Sequence, residues 1–214
     1  MGRVRRLGVL GGTFDPIHVG HLLMGQTACE ELGLDLVVFV PAGVPPHKHK
    51  QQREDARARL AMTRAAVAAD SRFAVSSVDI DRPAPHYTVD MLDLLSTEYG
   101  LEPDAVFFIM GSDSLAQLHT WHRPEVVSQR CILVAIRRPA FDVLPEHVYE
   151  RVPAARGRLR LVQMPEVGIS STLLRHMVRR GRSIHYWVPV AVEDIIRTQG
   201  LYRARLGQTA GQRG

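Results

Sequence analysis

The chain has 214 residues, of which 45% are hydrophobic and 23% charged, with a formal net charge of +5. That balance describes one ordinary globular domain, here read as residues 1–202, followed by a flexible basic tail over 203–214. It excludes a disordered chain, and no apolar run nears the roughly 18 residues a membrane-spanning helix needs.

The basic start, Met1 to Arg6, is not followed by the apolar region of a secretory signal. Cys29 and Cys131 lie far apart and form no metal or redox motif, so a reducing cytoplasm is expected. The positive charge suits an anionic partner without naming one. The arginines at 3–6 and beyond 203 read as solvated ends. Neither nucleic acid nor membrane is expected as a partner, and a homo-oligomer is left open.

In chain order, Leu7 to Leu10 is a short apolar run ended by Gly11-Gly12 and predicts a buried strand. A Thr-Phe-Asp-Pro turn leads into helical spacing over about 20–32, closed by Gly33. Leu36 to Val40 predicts a second strand. A loop rich in Pro, His and Lys follows, then a helix over 53–69 with Ala, Leu and Met on one face and Arg on the other. Val75 to Ile80 predicts a third strand. Thr88 reads as the N-cap of a helix that runs to about Tyr99 and is stopped by Gly100. Further strands are expected at 105–110, 132–136 and 159–163, and helices at 170–180 and 189–198. Alternating strands and helices with uniformly apolar strands predict an α/β fold. It is a Rossmann-like, doubly wound parallel sheet of five to six strands with helices on both faces. Ligands then belong beyond the carboxyl ends of the strands.

The loop after the first strand carries the chemistry. Gly11-Gly12 lets backbone approach a ligand closely, and the helix beginning near Val19 points free N–H groups at the same place. His18 and His21, three apart, share one face of its first turn, where imidazoles can donate to phosphate oxygens. The segment lacks the Gly-Lys-Ser/Thr of a P-loop and the Gly-x-Gly-x-x-Gly of a dinucleotide fingerprint. No third ligand accompanies the histidines, so no protein-held metal is expected. The plainer alternative is a cap and a surface residue. Ile169-Ser170-Ser171-Thr172-x-x-Arg175 opens another helix with hydroxyls, free N–H groups and a guanidinium, a second anion site or a plain Ser/Thr cap. Gly111-Ser112-Asp113 follows the fourth strand. Trp121 stands in a His-Thr-Trp-His loop, where it could stack on a flat ring or pack against the sheet edge.

Gly-Gly-Thr-Phe-Asp-Pro-Ile-His-Val-Gly-His resembles the signature of His-x-Gly-His nucleotidyltransferases. Within them it most resembles the bacterial nicotinate-nucleotide adenylyltransferases. The resemblance runs from about Arg6 to Tyr202. It implies adenylyl transfer from ATP to nicotinate mononucleotide, giving deamido-NAD and pyrophosphate in NAD biosynthesis, with Mg²⁺ arriving on the ATP. It further implies that Gly11, Gly12, Thr13, Phe14, His18, His21, Gly111, Asp113, Ile169, Ser170, Ser171, Thr172 and Arg175 bind ATP. Of these, His18, His21 and Arg175 are catalytic. Asp15, Lys48 (in Pro45-Pro46-His47-Lys48), Thr88 (in Tyr87-Thr88), Trp121 and Arg138 (in Arg138-Pro139) are implied on the acceptor side. Arg137 precedes Arg138, and which of the two points inward is left open. The alternatives are nicotinamide mononucleotide or phosphopantetheine as acceptor, or a nucleotide- or nucleic-acid-binding protein without catalysis.

Overall fold

The computed structural model describes residues 3–43, 55–137 and 144–203. Six strands form one all-parallel sheet: β1 (Leu7–Gly12), β2 (Leu36–Pro41), β3 (Phe73–Val75), β4 (Val106–Gly111), β5 (Ile132–Arg137) and β6 (Leu159–Gln163). Their spatial order is β3-β2-β1-β4-β5-β6. The expected doubly wound sheet is therefore present with its full six strands. The chain reverses its winding direction at β1, which pairs with β2 on one side and β4 on the other. In such sheets the crevice at the reversal point, beyond the strand carboxyl ends, receives the ligand.

Period-two alternation sorts the strand side chains onto two apolar faces. Leu10, Val37, Phe39, Ile109, Val134 and Ile136 point to one face. It is covered by the helices α1 (Val19–Leu32), α2 (Ala56–Val67), α8 (Ser171–Arg179) and α9 (Val190–Thr198). Leu7, Val9, Val38, Val40, Phe108 and Leu133 point to the other. There α4 (Thr88–Tyr99), α5 (Ser112–Ala116), α6 (Pro124–Arg130) and α7 (Pro145–Arg151) pack. Each such buried side chain contributes roughly 1.5–3 kcal/mol relative to exposure, so the doubly covered central strands form the rigid floor of the crevice.

Gly33 and Gly100 end α1 and α4 in left-handed conformation, as their positions predicted. Three expectations are corrected. The third strand stops at Val75, because β3 is an edge strand paired only to Val37–Phe39 of β2. The residues after it wind into a short helix, α3 (Val78–Asp81). The N-cap of α4 is Tyr87, and Thr88 is its first helical residue. The arginines of α2 are not all on its outer face: Arg57 and Arg64 are exposed, but Arg59 is buried among Met62, Thr63 and Val67.

Candidate active site

The site begins with the turn between β1 and α1. Gly12 is dictated by close approach: a Cβ there would lie 2.6 Å from the Phe14 ring. Phe14 takes a positive φ of 47°, a conformation that costs a non-glycine residue about 1–3 kcal/mol and persists only where surroundings hold it. Its ring is buried, edge-on to His21 with centroids 5.0 Å apart. Phe14 therefore supports the histidine from below. The following Asp15–Pro16 peptide is cis.

His18 is the N-cap of α1, and its backbone N–H donates to His21 Nδ1 at 3.3 Å. This is the reach-back half of a capping box, with an imidazole where Glu or Gln usually stands. Because Nδ1 accepts, the neutral His21 ring carries its proton on Nε2. The two imidazoles stack, with centroids 3.7 Å apart and planes at 26°. Gly20 makes room for that stack: a Cβ on it would sit 3.1 Å from the His18 ring. The spacing His-x-Gly-His is thus a packing requirement as well as a chemical one.

The second motif reaches the first directly. Ser170 caps α8 by accepting from Leu173 N. Ser171 Oγ donates to Pro16 O at 2.9 Å, and Arg175 Nη1 donates to Asp15 O at 2.7 Å. Arg175 also donates to Thr172 Oγ1 at 3.2 Å and lies 3.8 Å from the Asp15 carboxylate. The N-terminal ends of α1 and α8 are thereby joined, each bringing the positive end of its helix dipole to one place. Val19 N donates to Trp187 O, which ties in the segment before α9.

Asp15, expected on the acceptor side, is turned inward: it is 2% exposed and its Oδ1 accepts from the Tyr202 hydroxyl at 2.7 Å. Gly111 ends β4 as the N-cap of α5, which places Asp113 in the first turn beyond the strand's carboxyl end. Thr13 and Gly11 lie half-buried in the same region, and Ile169 packs against the α8 side of the core. Trp121 packs edge-on against Phe108, with centroids 5.9 Å apart, while Phe108 in turn lies beside Gly11. Tyr87 stacks on His122 with centroids 3.8 Å apart, which joins the segment before Thr88 to the segment after Trp121. Lys48 and Arg138 lie outside the described residues.

Sequence reasoning missed Arg59, Tyr202 and His122. Arg59 had a readable signal, since 59, 62, 63 and 67 follow the spacing of a buried helix face. The partners of Tyr202 and His122 are set only by tertiary packing.

The chain belongs to the cytidylyltransferase-like family, whose profile matches residues 9–177. Curated relatives narrow its place within that family. A Thermomicrobium roseum protein is 46% identical over 199 residues, covering 92% of each chain. A Thermus thermophilus protein is 46% identical over 198 residues, covering 92% of this chain and 100% of the relative. Both carry the name "Probable nicotinate-nucleotide adenylyltransferase". Among solved structures, a Plasmodium falciparum nicotinic acid mononucleotide adenylyltransferase complexed with NaAD superposes with a TM-score of 0.72. It covers 92% of this chain and 97% of its own at 17% identity, a likeness that concerns the fold alone.

Proposed function

We propose that this chain is an adenylyltransferase that joins nicotinate mononucleotide to the AMP part of ATP, giving deamido-NAD and pyrophosphate. The observation that carries it is the direct union of two anion-binding helix starts, through Ser171 to Pro16 O and Arg175 to Asp15 O, at the winding reversal of the sheet. One such helix start would hold any phosphate; two joined ones suit a polyphosphate.

The acceptor phosphate is already an anion at neutral pH, so it attacks the α-phosphorus without a general base. The new P–O bond forms in line with the bond that releases pyrophosphate. The protein's part is positioning and charge neutralisation. His21, with its proton on Nε2, donates toward the phosphates, with His18 stacked behind it. Ser170, Ser171 and Thr172 supply hydroxyls. The bonds of Arg175 to Asp15 O and Thr172 use two of its five N–H donors, leaving others for phosphate oxygens. These groups are donors to anions. Among the described residues no group of three or more His, Cys, Asp or Glu is placed to hold a metal ion. Mg²⁺ would therefore ride on ATP's own oxygens and add positive charge there. Trp121 and Thr88 belong to the acceptor side in this reading, and Lys48 and Arg138 are assigned to it by the resemblance. No helix among the described residues is long and apolar enough to cross a membrane. We place the reaction in the cytoplasm, which suits the two buried free cysteines.

The test is pyrophosphate release from ATP and Mg²⁺ with nicotinate mononucleotide or with nicotinamide mononucleotide. Strong turnover with the acid and little with the amide is expected. Equal turnover would make the enzyme dual-specific, and none with either would overturn the acceptor.

A further inference from the structure

Arg59 is a cation folded into the interior, only 3% exposed. A buried guanidinium is costly unless its N–H groups are well bonded, so its partners reveal what it is for. Nη1 donates to Thr13 O at 2.6 Å. Nη2 donates to Ala42 O at 2.7 Å and to Gly43 O at 3.2 Å. Thr13 follows β1 directly, inside the phosphate-binding turn. Ala42 and Gly43 follow β2 directly.

The ladder between β1 and β2 closes with Ala42 N donating to Gly12 O at 2.8 Å. Beyond that bond the two chains separate, and their carbonyls need other donors. The planar fork of Arg59 spans the gap, with one nitrogen on each loop. Its own backbone is fixed within α2: Arg59 N donates to Asp55 O, and Thr63 Oγ1 donates to Arg59 O at 2.8 Å.

We infer that Arg59 is a positioning residue that sets the spacing between the turn after β1 and residues 42–43 after β2, and thereby the in-line approach of the two phosphates. It acts through backbone carbonyls, touching neither substrate. This rests on the adenylyl-transfer reading. A misplacement of about 1 Å between reacting groups can cost about 10²-fold in rate, while each substrate still binds its own loop. The signature is a loss in kcat larger than any rise in KM.

The experiment compares Arg59→Lys with wild type at saturating ATP and nicotinate mononucleotide, with Tm recorded for both. Lysine keeps the charge but offers a point donor that cannot serve both loops. The expected result is kcat lowered about 10–100-fold, with each KM changed less than about threefold. A lowered Tm with unchanged kcat overturns the inference and leaves the reaction standing. Arg59→Gln, whose planar amide keeps one loop bonded, replaces the lysine variant if that does not fold. If wild type makes no product, the reaction reading falls. Hydrogen exchange then decides the inference: joint loss of protection at residues 12–14 and 42–43 in Arg59→Lys supports it, and unchanged protection overturns it.

Discussion

Tyr202 and Asp15 stand 187 residues apart in the chain, yet the phenol of one donates to the carboxylate of the other at 2.7 Å. The bond is buried, and it locks the turn that carries the histidines to the turn that follows α9. Replacing Tyr202 by Phe keeps the ring and strands a carboxylate oxygen in the interior. The expected cost is about 1–3 kcal/mol, read as a lower urea midpoint with an unchanged slope. A midpoint equal to wild type would mean that Asp15 is satisfied without the phenol.

Gly20→Ala separates helix stability from site geometry. Alanine is the better helix former by about 1 kcal/mol, so propensity alone predicts a gain in Tm. The new Cβ would meet the His18 ring at 3.1 Å and push it off the His21 stack. We expect Tm at or above wild type with kcat reduced at least tenfold. Full activity in this variant would show that the stack is dispensable.

If Trp121 stacks on the acceptor as proposed, Trp121→Ala removes that aromatic surface and leaves the α1 and α8 helix starts untouched. The expected result is a KM for nicotinate mononucleotide raised about tenfold, equivalent to about 1.4 kcal/mol, with the ATP KM unaltered. An unmoved acceptor KM would assign Trp121 to packing against Phe108 alone.

Stability should fall on mild acidification because of His86. Burial holds its imidazole below the ordinary value of 6.5, helped by Arg82 and opposed by Asp79. The unfolded chain then takes the proton first, so stability is lost as pH falls through 6.5 and continues to fall until the folded ring is protonated. Asp79 works in the opposite sense and at lower pH: burial raises its carboxyl above 3.8, against the Arg82 hydrogen bond. The folded state therefore takes that proton first and gains stability as pH falls toward 3.8. Urea midpoints measured from about pH 7.5 to about pH 5.5 should decline in wild type and flatten in His86→Gln.

What the sequence made legible was whatever local chemistry decides. Gly33 and Gly100 stop helices because the left-handed cap favours glycine, and apolar runs such as Leu36–Pro41 can only be buried strands. The two motifs were readable because both are helix starts with fixed spacing. Val75 to Ile80 was misread because its apolar residues suit a strand, while the edge position of β3 leaves most of them without a ladder. The short helices α5, α6 and α7 have too few turns to show a period. Arg59 was misplaced because a charged side chain ordinarily faces water, and carbonyls of two segments far apart in the chain accept from it in the interior. The inward turn of Asp15 depends on Tyr202, which no spacing could have indicated.

The bond from Arg175 to Asp15 O joins residues 160 apart. During synthesis at roughly 5–20 residues per second, the histidine turn leaves the ribosome roughly 8–32 seconds before its arginine partner. For that interval the turn lacks its bonds to α8, and the later chain is not there to hold Phe14 in its unfavourable backbone conformation. The union of the two helix starts thus forms only after Arg175 has been synthesised. A message cut short before the codon for Ser171 yields a protein in which nothing joins the histidine turn to a second helix start.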